Sequence, residues 1–248
     1  METRQFDIPR YLAVLPLFQE MTPPELRRLA EGCRLRRLAR GEDVFRIGEP
    51  CDEFHVTVMG QVKLFALSPA GQEKVIELVG PGNSFAEALM FTGKPYIINA
   101  QSLTDTLVLS VGKDAVLREI ENDSRFAMRM LAGISRRLHG LVHDVQAYAL
   151  HSGMQRVIGY LLRDLPDHAE HAAEMTLAGA GLDAAPLPQC ELRVSLPVSK
   201  ATIASRLSLT PEYFSRVLHE LEAQGLIEMD KRDIRIPDPT RLAGYQVQ

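Results

Sequence analysis

Three hydrophobic patterns follow one another along the chain, and each predicts a different kind of element. Residues 1–112 hold short segments of period two: DVFRIG, EFHVTVMG, QVKLFAL, EKVIELV and TLVLSV, punctuated by Gly48, Gly60, Gly71, Gly80 and Gly82. They predict a small all-β barrel or roll, after a helical start in which Thr22-Pro23-Pro24-Glu25 opens a short amphipathic helix. From Leu131 the period lengthens. Leu131, Ile134, Leu138, Leu141, Val145 and Tyr148 fall at alternating steps of three and four, the seam of a coiled coil. Asp123 or Ser124 can cap this helix and Ser152-Gly153 can interrupt it, so it spans roughly 37 Å over about 25 residues. Phe126 and Met130 lie off the seam and can face the barrel. The alternative is that the whole stripe packs on its own domain.

The third pattern occupies 198–221, VSKATIASRLSLTPEYFSRVLHEL, which reads as two short helices joined by a tight turn. Ile203 and Leu207 recur at helical spacing, with the small Ala204 between them where a second helix can approach. Ser199 and Lys200 open the first helix. In the second, Thr210 is an N-cap residue and Pro211 suits the first helical position, where no backbone N–H is needed. Phe214, Val217, Leu218 and Leu221 form an apolar stripe, which leaves Glu212, Ser215 and Arg216 facing outward on the first two turns. Those turns meet base edges when a helix docks in the major groove. Arg216 can donate two hydrogen bonds to a guanine, Glu212 can accept from a cytosine amino group, and Ser215 can serve a base or a phosphate. A plain helical hairpin with a charged solvent face would satisfy the two helices alone. After Gly225, a helix C-cap, Leu226–Met229 and Ile234–Ile236 alternate around a charged turn at Asp230–Asp233, and a hairpin in that place is a wing.

Between the second and third patterns, 154–165 forms a short amphipathic helix, whereas 166–189 is rich in Ala, Gly and Pro and predicts a loop. Its Asp167, His168 and His171 imitate a metal motif but lack a fourth ligand.

Composition changes this picture little. The chain of 248 residues has room for two compact domains, and a hydrophobic content of 46% supports real cores. No run approaches the roughly 18 apolar residues of a membrane helix, and METRQFDIPR does not read as a signal peptide, so the expected location is cytoplasmic with no membrane partner. Cys33, Cys51 and Cys190 are widely spaced and predict buried or idle thiols. The net charge of −4 is no basic footprint. Residues 190–248 contain eight Lys or Arg and eight Asp or Glu. DNA binding would therefore rest on local placement of Lys200, Arg206, Arg216, Lys231 and Arg232 and would weaken with salt. Arg27, Arg28, Arg34, Arg36, Arg37 and Arg40 form a second basic group, read as a solvated face.

The hairpin of helices and its wing resemble the winged helix-turn-helix of the CRP/FNR family of bacterial transcription regulators. Glu212, Ser215 and Arg216 match the Glu-x-x-Ser-Arg recognition pattern of its FNR and DNR side. Ser208 stands in the turn where relatives usually carry glycine, which predicts a different or strained turn. The likeness covers nearly the whole chain: GEDVFRIGEP, MGQVKLF and PGNSFAEALMF are similar to the cyclic-nucleotide-binding fold, and GQEKVIELVGPGNSFAEALMF looks like the DNR subgroup. The resemblance implies an α+β fold: an effector-sensing jelly-roll barrel (1–112), a dimerisation helix region (113–151) and a DNA-binding winged helix-turn-helix (152–248). It also implies a homodimer on double-stranded DNA with palindromic TTGAT-like half-sites, contact with RNA polymerase, and activation of genes for anaerobic or denitrifying metabolism.

For the effector, sensors of cAMP in this family place an Arg-Ser pair against the cyclic phosphate, where this chain has Ile97-Ile98. A phosphate there would be desolvated without a partner, so cAMP is not expected. An iron–sulfur cluster needs about four thiolates, which relatives of the FNR type cluster near the amino terminus; this chain has three scattered cysteines, none before Cys33. What remains is an apolar pocket with Phe85, Leu89, Met90, Phe91, Tyr96, Ile97 and Ile98 as candidates, and the DNR likeness implies haem and nitric oxide. His55, His139, His143 and His151 are the available imidazoles. The competing reading is a cupin-like barrel enzyme or small-ligand-binding protein with a helical appendage. A metal enzyme would need two or more histidines and a carboxylate converging in the barrel, and residues 1–112 contain only His55.

Overall fold

The computed structural model describes residues 6–162 and 191–245. The chain divides into two compact units between His139 and Gly140. The first unit opens with α1 (Ile8–Ala13) and α2 (Pro23–Glu31). At α2 the expected cap is a full capping box: the Glu25 carboxylate accepts from the Thr22 backbone N–H at 2.6 Å and from its hydroxyl at 2.7 Å. Eight strands follow: β1 (Cys33–Leu38), β2 (Asp43–Phe45), β3 (Glu53–Met59), β4 (Val62–Leu67), β5 (Glu73–Val79), β6 (Ser84–Phe85), β7 (Asn99–Ser102) and β8 (Thr106–Gly112), with α3 (Glu87–Thr92) between β6 and β7. They form two antiparallel four-stranded sheets, ordered β1-β8-β3-β6 and β2-β7-β4-β5, which share one apolar core.

The five segments of period two all became strands. Three strands did not announce themselves. β7 reads NAQS and β6 has two residues, too short and too polar for a periodic signal. β1 reads CRLRRL and was masked by its arginines, yet Cys33 to Leu38 pair in register with Val111 to Thr106. The basic group is thus partly a sheet edge, where charged side chains oppose further strand pairing.

After α4 (Lys113–Asn122) comes α5 (Ser124–Leu150), whose first part belongs to the first unit. Phe126 and Met130 are almost fully buried, as their off-seam positions predicted, and the Phe126 ring lies 5.8 Å from that of Phe18. Phe18 in turn stacks toward Phe54 of β3, so α5 is docked by an aromatic chain that ends in the sheet.

In the second unit, the end of α5 is followed by α6 (Gly153–Leu162), capped by a second box between Ser152 and Gln155. Then come β9 (Leu192–Ser195), α7 (Lys200–Arg206), α8 (Pro211–Ala223), β10 (Glu228–Asp230), β11 (Asp233–Ile236) and α9 (Pro239–Ala243). Phe214, Val217, Leu218 and Leu221 of α8 are buried as the stripe required, against Ile203 and Ala204 of α7. Gly225 ends α8 in a left-handed conformation, with φ 65°. The wing hairpin pairs Glu228 with Arg235 and Asp230 with Asp233, and the sequence left out its third strand, β9, which pairs with β11. Asp167, His168, His171 and Cys190 lie outside the described residues.

Candidate DNA interface and sensor cavity

The recognition surface is built from capping chemistry. Ser199 accepts from the Thr202 backbone N–H at 3.2 Å to start α7, with Lys200 half-buried just inside. Thr210 accepts from the Tyr213 N–H at 3.2 Å to start α8, with Pro211 at its first position. Caps of this kind fix where a helix begins, and so which residues share its first two turns. Glu212 and Arg216 are exposed there and Ser215 is half-buried. Among the described residues Glu212 and Arg216 form no ion pair; the Arg216 guanidinium instead lies 4.9 Å from the centre of the Tyr213 ring.

The turn between α7 and α8 is strained at its serine. Ser208 sits at φ 56°, in the left-handed region. Backbone hydrogen bonds hold it: Ser208 N–H to Ser205 O at 3.2 Å and Leu209 N–H to Ala204 O at 2.9 Å. Arg156 of α6 donates to the carbonyls of Leu207 at 2.7 Å and Ser208 at 3.4 Å.

Arg206 corrects the sequence reading. Expected at the DNA surface, it is only 8% exposed and donates to Asp144 of α5 at 2.5 Å and to the Tyr148 hydroxyl at 2.6 Å, while that hydroxyl donates to the Arg206 carbonyl. The partner carboxylate lies 62 positions away, so no local pattern reveals the pair. Of the five basic residues expected at DNA, Arg216, Lys231 and Arg232 are exposed.

The same network engages one residue of the seam. Tyr148 hydrogen-bonds within its own chain and Ile134 lines a cavity in the first unit, both half-buried, whereas Leu141 is exposed like Leu131, Leu138 and Val145. The exposed apolar stripe is rotated by part of a turn. It runs through Met128, Leu131 and Leu138 in the first unit and Val142, Val145 and Ala149 in the second, in steps of three and four once the polar Ser135 is counted in its place. Leu131, Leu138 and Val145 remain on it, each more than half exposed.

In the first unit, the expected apolar pocket is not one surface. Phe85, Met90 and Tyr96 are buried in the core, Leu89 and Ile98 are half-buried, and Phe91 and Ile97 are exposed. His55 is engaged at both ring nitrogens: Nε2 lies 3.1 Å from the Tyr96 hydroxyl and Nδ1 lies 2.9 Å from Ser110 Oγ. The Tyr96 hydroxyl also lies 3.2 Å from the Glu53 carbonyl, and a neutral imidazole donates at one ring nitrogen and accepts at the other, so both hydroxyl contacts are satisfied with His55 uncharged. Burial, helped by Arg36 and Arg34, pulls the His55 pKa down to about 3. Burial acts on the thiols the opposite way, pushing Cys33 up to about 12 and Cys51 upward, away from the thiolate character of a ligand.

A cavity of 410 Å³ lies elsewhere, between Leu15–Phe18, the β5–β6 turn and α5. Leu15, Phe18, Val56, Met130 and Ile134 supply its apolar wall. Its polar wall is an ionic tie: Arg137 of α5 donates to Glu77 of β5 at 2.5 Å and to the Ser84 carbonyl at 2.7 Å, and lies 3.6 Å from Glu87. Ala86, just before Glu87, has φ 72°, unusual for a residue with a Cβ.

Comparison with known proteins agrees with both units. The cyclic nucleotide-binding domain matches residues 35–123 and the Crp-like helix-turn-helix domain matches residues 155–245. The CRP-like cAMP-activated global transcriptional regulator of Mycobacterium tuberculosis is 24% identical over 94% of this chain and 96% of its own. FixK2 from Bradyrhizobium japonicum shares the fold, with a TM-score of 0.70 at 22% identity over 87% of this chain and 98% of its own. DNR from Pseudomonas aeruginosa is 33% identical over 98% of this chain and 100% of its own, with a TM-score of 0.49. With the two domains in this order, and relatives matched along almost their whole length, the chain belongs to the CRP/FNR family of DNA-binding transcription regulators.

Proposed function

We propose that this protein is a homodimeric, effector-switched regulator that reads a palindrome of TTGAT-like half-sites and contacts RNA polymerase in the cytoplasm. The observation that carries the reading is the exposure of Glu212 and Arg216, with the half-buried Ser215 between them, on the first two turns of α8. Pairing of two chains along Leu131, Leu138 and Val145 would cover an exposed stripe that the monomer leaves in water. A two-fold axis there would set two recognition helices for successive major grooves about 34 Å apart.

The effector acts in the first unit. A small ligand entering the 410 Å³ cavity competes with the Arg137–Glu77–Glu87 tie, and by binding one arrangement of α5 better it shifts the population. The residues lining this cavity do not fit haem. Among the described residues that line it, Met130 is the only sulfur group and there is no imidazole. No helix among the described residues is long and apolar enough to cross a membrane.

The test is equilibrium binding of wild-type and Arg216→Ala protein to a TTGAT palindrome and its single-base-pair variants. Loss of about 1–3 kcal/mol of discrimination at one symmetric base pair is expected. Unchanged discrimination at every position would remove Arg216 from base reading.

A further inference from the structure

We propose that Tyr213 is a specificity-determining positioning residue, a ring platform that aims the Arg216 guanidinium, and that Gly153 exists to seat it. The inference deepens the reading of Arg216 as a base-contacting side chain and rests on it. Tyr213 and Arg216 stand three positions apart on α8, the spacing at which side chains on one helix face meet. The guanidinium carbon lies 4.9 Å from the ring centre, within the range of a cation–π contact. Arginine has several rotatable bonds, and an exposed one samples many directions before it docks. A planar ring beneath it removes part of that freedom in advance, which favours the one orientation that can place two donors on a guanine.

The ring itself is immobilised from behind. Gly153, the first residue of α6, lies so close that a Cβ there would overlap Cε1 of Tyr213 and would come within 2.9 Å of Cζ and the hydroxyl. Glycine at this point follows from the close approach, because its backbone φ is not in the left-handed region. The Thr210 cap completes the arrangement by holding the Tyr213 backbone at 3.2 Å. Gly153, Thr210, Glu212, Tyr213 and Arg216 border one open surface cleft, so the platform lies beside the residues that face the bases.

Binding of the full-length protein to the palindrome, to symmetric single-base-pair variants and to a random duplex separates the possibilities. Arg216→Ala first identifies the base pair that Arg216 reads. Tyr213→Leu is then expected to lower discrimination at that same pair by roughly two- to fivefold, the scale of an exposed cation–π contact, with random-duplex affinity unchanged. Gly153→Ala pushes the ring aside without removing it, suits the helix it opens, and is expected to have the same selective effect. Tyr213→Phe keeps the platform and full discrimination. Unchanged discrimination in a Tyr213→Leu protein whose circular dichroism is native overturns the proposal. So does a uniform drop on all duplexes, or an equal loss in Tyr213→Phe, which would assign the role to the hydroxyl. If Arg216→Ala relaxes no base pair, the base-reading assignment fails first and the platform with it.

Discussion

The barrel unit and the winged-helix unit treat their polar groups in opposite ways. In the barrel the informative groups turn inward and are satisfied there: His55 between Ser110 and Tyr96, Glu119 (4% exposed) against Arg28, and Arg137 against Glu77 and Ser84. In the winged helix the inward group is Arg206, while Glu212 and Arg216 stand in solvent on the recognition helix. Inward polar groups with partners set geometry, because removing either partner strands the other in a poor solvent. Outward groups on a rigid, capped helix contribute little to folding and are available to a partner. The contrast separates residues that hold the first unit together from those left accessible on the second.

The largest expected break in this contrast is at Arg206. Arg206→Ala takes the ion-pair partner from Asp144, and should cost about 3 kcal/mol in the unfolding of the second unit, since the guanidinium is 10% exposed and the carboxylate 29%. Urea denaturation followed by a probe in each unit should show a lowered midpoint in the second unit, with the barrel transition unmoved. A loss below about 1 kcal/mol would mean that Arg206 is solvent-facing after all.

The barrel's counterpart is a pH effect. The His55 pKa is about 3 in the fold against an ordinary 6.5, so between those values the unfolded chain binds the extra proton. Stability contributed by neutral His55 is therefore complete above about pH 6.5 and is lost as pH falls toward 3, at about 1.4 kcal/mol per pH unit. From pH 6.5 to 4.5 the barrel should lose roughly 2–3 kcal/mol, most of it absent in His55→Leu. A barrel midpoint flat across that interval in the wild type would contradict the buried neutral imidazole.

The dimer stripe gives a test with an association readout. Leu138→Glu should convert a dimer to a monomer in sedimentation while leaving monomer stability within about 0.5 kcal/mol, because the side chain is 58% exposed. An equally strong effect from Ile134→Glu, without loss of folding, would return the seam to its sequence-predicted register.

The smallest effects sharpen the comparison, because both units hold left-handed residues other than glycine, Ala86 in the first and Ser208 and Lys231 in the second. Ala86→Gly in the barrel and Ser208→Gly in the helix-turn-helix should each stabilise by about 0.5–1 kcal/mol: relief of left-handed strain exceeds the entropy that glycine adds to the unfolded chain. Calorimetry resolving the two transitions would assign each gain to its own unit. Destabilisation at either site would show that its side chain makes contacts outweighing the strain.

The elements themselves were legible. The period-two segments, the stripe of α8, its Thr210-Pro211 start and Gly225 end all express local rules, in which a residue's neighbours three or four positions away decide its environment. The strands β1, β6, β7 and β9 were not legible, because their positions depend on strands that are distant in the chain: β1 on β8, β7 on β2 and β4, and β9 on β11. Pairing of that kind supplies hydrogen bonds to segments with no apolar period of their own.

The sequence by itself determined which helix faces outward with Glu212, Ser215 and Arg216, since caps and an apolar stripe fix the phase of a helix from within. Only the tertiary structure decided where single polar side chains went. Arg206 became a buried partner of Asp144, His55 a neutral core residue, and Tyr148 a hydroxyl turned away from the seam. The physical reason is range: helix phase is set within one turn of chain, whereas the ionisation and direction of a long polar side chain are set by groups that only folding brings within 3 Å.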